Sequence, residues 1–221
     1  MSIATIIQTR TTTLINTFVY DVFPPLVEVD DVNALAGLTT VLDEFTTTGL
    51  GAGGLNRRST NNVVMLAAAG GSADKASVWV RADYSDYRAA YSAFVRKMYN
   101  ITVTTADLAA YDVDHLLNRA RAGNGNTLLR IEASPLGINR QWGSVLEKLA
   151  TQSNVAGNRR TRRLMSYLIA AKVAGFAPPT TLQDPVSRAR LARELASLGI
   201  PLKEAQDGLD TLLGHIARNL R

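Results

Sequence analysis

The chain has no cysteine among its 221 residues and only two histidines, His115 and His215. The first absence excludes a disulfide framework, cysteine-ligated zinc and thiol chemistry. It suits a reducing compartment, and the expected location is the cytoplasm. The second absence leaves two side chains through which any histidine chemistry must run. Long apolar runs are also missing. The longest covers residues 63–69, far short of the roughly 20 residues that span a bilayer. The start, MSIATIIQTRTTT, has no charged segment ahead of a long apolar stretch, so neither a signal peptide nor a membrane partner is expected. Four glycines at 49, 51, 53 and 54 are followed by no Gly-Lys-Ser/Thr, which removes a Walker-type phosphate loop.

What remains is a chain of globular composition, 46% hydrophobic with a mean hydropathy of zero. It is long enough for one large domain or two small ones. Its net charge of +5 is unevenly spread. Residues 1–118 hold 8 basic and 12 acidic side chains, residues 119–193 hold 13 and 3, and residues 194–221 hold 3 and 4. Arginine supplies 19 of the 24 basic residues. Its planar fork of donors matches phosphate oxygens, and its charge is fixed. A net +10 over 75 residues points to a polyanionic partner, most simply nucleic acid. A solvated basic surface with no partner is the alternative.

Periodicity predicts an α+β fold with mixed strands and helices first, a central β-hairpin plus helix, and a helical C-terminal third. Residues 3–20, rich in Thr, Ile and Val, read as a strand or a pair of short strands. Residues 32–45 suit a short helix, 46–62 a long loop, and 63–69 and 77–81 two strands. Residues 84–99 carry apolar side chains at three-four spacing, the mark of a helix capped by Asp83 or Ser85. A short helix is expected over 105–111. Residues 158–175 read as an arginine-rich helix. Asp184-Pro185 opens another to about Leu198, and Pro201 opens the last, to about Asn219. Three segments follow as the expected organisation: 1–100, 101–155 and 156–221.

The informative stretch is 112–148. A strand over 112–118 places Asp114 and His115 on opposite faces, so a backbone irregularity is needed to bring both into one site. Asn124-Gly125 is a hairpin turn signal, residues 128–133 form the second strand, and a helix starts near Gly143 or Ser144. With that turn, His115 pairs near Ser134. Glu132 and Glu147 read as ion-pair partners of nearby arginines, Trp142 as a packing residue, and His215 as structural.

Asp112-Val113-Asp114-His115, the hairpin after it, and Asn139-Arg140 at 24 residues beyond His115 together resemble the HNH nucleases, whose core is a β-hairpin, a helix and one metal ion. The resemblance covers about residues 112–148. It implies that His115 is a general base, that Asn126 orients it, and that Asp114 and Asn139 bind a divalent metal, Mg or Mn. These side chains would then converge on one point. Neutral imidazole near pH 7 can take a proton from water, and oxygen-ligated metal neutralises a scissile phosphate. Arg119, Arg121, Arg130, Arg140, Arg159, Arg160, Arg162 and Arg163 would hold the phosphate backbone. The expected function is a metal-dependent nuclease acting on DNA or RNA. The alternative is a non-catalytic nucleic-acid-binding or structural packaging or coat protein.

Overall fold

The computed structural model describes residues 1–39, 45–49, 62–68, 71–119, 122, 126–144 and 162–218. The fold is α+β: one antiparallel sheet with helices packed on it. In chain order the elements are α1 (Ile3–Tyr20), β1 (Leu26–Val29), α2 (Val32–Thr39), β2 (Phe45–Gly49), β3 (Val63–Ala68), β4 (Ser77–Arg81) and α3 (Tyr87–Tyr99). β5 (Tyr111–His115), β6 (Leu128–Pro135), α4 (Ile138–Trp142), β7 (Arg162–Leu164), α5 (Tyr167–Val173), α6 (Pro185–Ala196) and α7 (Leu202–Arg218) follow. The strand order is β2-β3-β4-β6-β1-β7, with β5 paired to β6. β4 takes one edge of β6 over residues 128–131, while β1 and β5 share the other edge, β1 at 128–129 and β5 at 131–135. The sheet therefore draws strands from all three expected segments.

The first element departs from expectation. Residues 3–20 form a helix, not strands. Ser2 caps it by accepting a hydrogen bond from the Thr5 amide. Ile6, Ile7, Arg10, Leu14 and Ile15 form its buried stripe, and that three-four spacing decides the outcome. A β-branched residue costs a helix at most about 0.7 kcal/mol, whereas burying one Ile or Leu side chain contributes about 1.5–3 kcal/mol. The second departure lies at 158–175. Arg162–Leu164 hydrogen-bonds as β7 to β1, and the Met165 amide donates to the Pro25 carbonyl at 2.7 Å. Helix begins only at Tyr167, where Ser166 caps it. Residues 45–49, expected as the end of a helix and the start of a loop, form β2 against β3. Residues 105–110 form turns rather than a helix, although Thr104 and Asp107 bond to each other's backbone and side chain in the manner of a helix start. β3, β4, α3, α6 and α7 fall where the periodicity puts them. α3 starts after Asp86, which makes no side-chain cap, and stops at Asn100 in the left-handed region.

Among the described residues three apolar clusters fill the interior, and β6 contributes to each. Leu129 joins Leu14, Ile15 and the C-terminal helices through Leu191, Leu195, Leu209 and Leu213. Ile131 and Ala133 join Ile6, Ile7, Tyr91, Phe94, Val78 and Val80. Leu128 joins Val29, Leu35, Val64 and Trp79. Among the described residues no helix is long and apolar enough to cross a membrane.

Candidate functional site

The two strands expected over 112–133 are present as β5 and β6, in a shifted register. Asp112 pairs with Ser134, Asp114 with Glu132, and His115 with Ile131, so the residue opposite His115 is three positions from the one the Asn124-Gly125 turn implies. That turn lies outside the described residues. β5 stops at His115 rather than continuing to residue 118, α4 occupies 138–142 where a loop was expected, and the helix expected from Gly143 or Ser144 lies, beyond Ser144, outside the described residues.

Along β5 the side chains alternate. Val113 enters the cluster under α3, and His115 follows it, its ring 4.8 Å from that of Tyr87 on α3. His115 is buried, and among the described residues its Nε2 has no hydrogen-bond partner. Burial pushes its imidazole below the ordinary value. Asp114 pulls the other way, and the positive charges of Arg119 and Lys172 add to the lowering. The ring is neutral at pH 7. Asp114 turns to α5, where its Oδ2 accepts from the Lys172 ammonium at 2.7 Å. Its Oδ1 is 3.9 Å from His115 Nδ1, too far for a hydrogen bond. Asp112 is buried and gathers two arginines. Arg88 on α3 donates to its Oδ1 at 3.0 Å, and Arg140 on α4 stands 3.8 Å from its Oδ2. Both guanidiniums keep much of their surface in solvent, 56% for Arg88 and 74% for Arg140.

The other expected site residues divide. Asn139 is on α4, and its buried Oδ1 has no hydrogen-bond partner among the described residues. Asn126 is exposed, five residues before the Ile131 that faces His115. Arg119 is exposed just after β5. Arg130 is not a surface phosphate ligand. It donates to buried Glu132 at 2.9 Å, beside Arg10 of α1. Arg163 pairs with buried Glu28 at 2.7 Å. Arg121, Arg159, Arg160 and the side chain of Arg162 lie outside the described residues. Glu132 is the ion-pair partner expected of it, and Trp142 is buried, its indole N–H donating to the Phe176 carbonyl. His215 is exposed on α7.

A divalent ion of the Mg or Mn kind needs several oxygen ligands free to face it. Asn139 Oδ1 meets that need. Asp114 does not, because its Oδ2 already holds an ammonium. Among the described residues no three His, Asp or Glu side chains group in a way that could hold a metal ion. The donor set therefore does not fit the ion that the resemblance implies.

Two residues that matter here escaped the sequence reading. Lys172 had a legible signal: it is the one charged residue in LIAAKVAGFA, and a lysine inside an apolar helix requires an acid partner. Arg88 had none, since an arginine on an amphipathic helix is ordinary. No family model, curated protein or solved structure matches the chain.

Proposed function

We propose that the protein binds nucleic acid along the surface where β5, α3 and α4 meet, holding phosphate oxygens with Arg88, Arg140 and Arg119. The supporting observation is the pair of arginines at Asp112. The buried carboxylate holds Arg88 by a hydrogen bond and lies 3.8 Å from Arg140, and both side chains stay largely in water, so positive charge faces outward before any ligand arrives. Preorganised donors lose less side-chain entropy on binding than free ones. The surroundings favour an anion: Asp112 and Asp114 face Arg88, Arg119, Arg140 and Lys172, two acids against four bases. A cysteine-free chain also suits the reducing cytoplasm, where nucleic acid is met. Fluorescence anisotropy with labelled duplex DNA and single-stranded RNA, repeated over a salt series, tests this. Binding should fall steeply with salt. Replacing Arg88 and Arg140 with Ala should lower the slope of log affinity against log salt by about 0.9 for each duplex phosphate no longer held. No binding to either nucleic acid at low salt would refute the reading.

The nuclease reading stands second. One observation favours it: His115, in the Asp-x-Asp-His sequence on the hairpin, has among the described residues no partner at Nε2, and burial favours its neutral form, which is the state a general base needs. Incubation of purified protein with plasmid and with RNA, in magnesium or manganese and then in chelator, separates binding from cleavage.

A further inference from the structure

Tyr20 is 70% exposed, Val22 89% and Phe23 73%, three large apolar side chains in the turn that leaves α1. The turn is held on both sides. The Asp21 amide donates to the Thr17 carbonyl at 3.2 Å, and the Pro25 carbonyl accepts from the Met165 amide. Pro24 and Pro25 fix their own backbone angles. The Tyr20 ring lies against Gly199, where a Cβ would stand 2.6 Å from its hydroxyl oxygen. Beside the turn is a groove of about 300 Å³, lined by Val22, Pro24, Met165 and Ile200 among others. It runs into a second of about 690 Å³ along α5 and α7, the two sharing Ser166, Tyr167, Pro201 and Glu204. Tyr167 is packed on Gly208, and its hydroxyl donates to Glu204 at 2.5 Å. We propose that this surface is the interface of a symmetric dimer in which the turn of each copy fills the groove of the other. This goes beyond the nucleic-acid reading and does not depend on it.

Turn and groove are neighbours, because Val22 and Pro24 line the groove while Phe23 between them faces solvent. One two-fold axis beside them makes both contacts at once and closes the assembly at two copies. The area suffices. Tyr20, Val22, Phe23 and Leu202, which is 43% exposed beside Pro201, leave roughly 400–500 Å² of apolar surface in water. A homodimer interface of ordinary size buries about 800 Å² per partner, about 65% of it apolar, which is roughly 500 Å². The walls of the groove add to what the turn brings. A turn already pinned by its backbone loses little freedom on docking. Charge chooses among the occupants. Among the described residues the grooves carry Asp21, Glu204 and Asp207 against Lys203, and Lys203 is bonded to Asp207 at 2.8 Å. A polyanion or an anionic bilayer needs a basic rim, so neither suits this face. Arg88, Arg119 and Arg140 line neither groove.

The test is sedimentation velocity of the full chain over a concentration series, free of nucleic acid, paired with hydroxyl-radical footprinting. Wild-type protein should pass from the 23.8 kDa of one chain to twice that mass, with a Kd on the order of micromolar or tighter. Oxidation of Tyr20 and Phe23 should be suppressed at the high end of the series. Phe23→Asp should weaken dimerisation by at least about tenfold, and Val22→Asp combined with Phe23→Asp should be monomeric throughout. Both side chains face solvent in the single chain, so the fold survives the changes, and circular dichroism verifies it. Val186→Asp, at an exposed apolar residue of α6 outside the grooves, should dimerise as wild type does. A wild type that stays monomeric at about 100 µM, well above the weak end expected of an interface this size, would overturn the proposal. So would a folded Val22→Asp, Phe23→Asp protein that dimerises as tightly as wild type. A monomer that floats with vesicles of phosphatidylcholine and phosphatidylserine would give the turn to a bilayer instead, and also overturns it. Arg88→Ala with Arg140→Ala should dimerise unchanged. A negative result here therefore leaves the nucleic-acid reading untouched, and failure of the anisotropy experiment leaves the dimer standing.

Discussion

Arg10 and Glu132, 122 residues apart in the chain, meet through two hydrogen bonds, Nε to Oε2 at 3.1 Å and Nη2 to Oε1 at 2.6 Å. The pair is buried and ties the first helix to the central strand. The same guanidinium donates to the Ala76 carbonyl at 3.0 Å and lies 4.5 Å from the Phe94 ring centre. Arg130 also donates to Glu132, so removing Arg10 takes one of two guanidiniums from the buried carboxylate and the donor from the Ala76 carbonyl. Arg10→Ala should lower the unfolding free energy by about 3–5 kcal/mol, measured by urea titration. Arg10→Met with Glu132→Leu should not recover the loss, because it leaves the Arg130 guanidinium without its acid. A loss under about 1 kcal/mol for Arg10→Ala would mean that the charges are not buried as described.

Stability should fall on acidification in two steps. Burial pushes Glu132 upward, but Arg10 and Arg130 outweigh it and hold the carboxyl below its ordinary 4.5. Its contribution is present above that value and lost as pH falls through the lower folded value. His115 is lowered from 6.5, chiefly by burial. In both cases the unfolded chain binds the proton more readily, so unfolding free energy rises with pH across each window. The upper step begins near 6.5 and the lower near 4.5. His115→Phe should remove the upper step and leave the lower. An unchanged upper step would assign it to another group.

Asp112→Asn gives a prediction whose sign is opposed to simple charge counting. The change removes one negative charge from a basic surface, which by itself strengthens binding to a polyanion. If Asp112 positions Arg88, affinity should instead weaken, by roughly 1–3 kcal/mol for the missing charge-assisted bond. Anisotropy at fixed salt decides, and tighter binding by Asp112→Asn would rule out that role.

His115→Ala should leave nucleic-acid affinity within about twofold, because a neutral imidazole buried against Tyr87 adds little to attraction for phosphate. If the preparation also cleaves nucleic acid, that activity should disappear in the same variant. Cleavage that survives the change would remove His115 as the base.

Gly208 lies in α7 where a Cβ would overlap the ring of Tyr167 on α5. Alanine normally gains up to about 1 kcal/mol over glycine inside a helix. Here Gly208→Ala should destabilise by about 1–3 kcal/mol through overpacking, read from thermal unfolding. Tyr167→Ala should restore tolerance of alanine at position 208.

The hairpin was legible at the level of order but not of register. Asp112 to His115 and residues 128–133 both read as strands, and both are. The register depends on the chain between them, and an Asn-Gly signal names one turn among several that the strands accept. α1 was hidden because its threonines and isoleucines favour strands locally, while the spacing of Ile6, Ile7, Leu14 and Ile15 favours a helix. The stripe outweighs the composition, and Arg10 sits inside it against the apolar pattern. β7 was hidden for a different reason. Arg162–Leu164 is a strand only because β1 presents an edge to it, and β1 lies more than 130 residues earlier. The same holds for the site: Asp114 and His115 stand out in the sequence, but Lys172 reaches Asp114 from 58 residues away.

The pairing of β1 carries a consequence for how the chain is made. Its two neighbours are β6 and β7, and about 100 residues separate Val29 from Leu128. At roughly 5–20 residues per second, a ribosome needs about 5–20 s to deliver the first of those partners. Throughout that interval Val27, Val29 and the apolar stripe of α1 have emerged without the strand that covers them. The nascent first half exposes this apolar surface during translation, and its burial must wait for the middle of the chain to arrive.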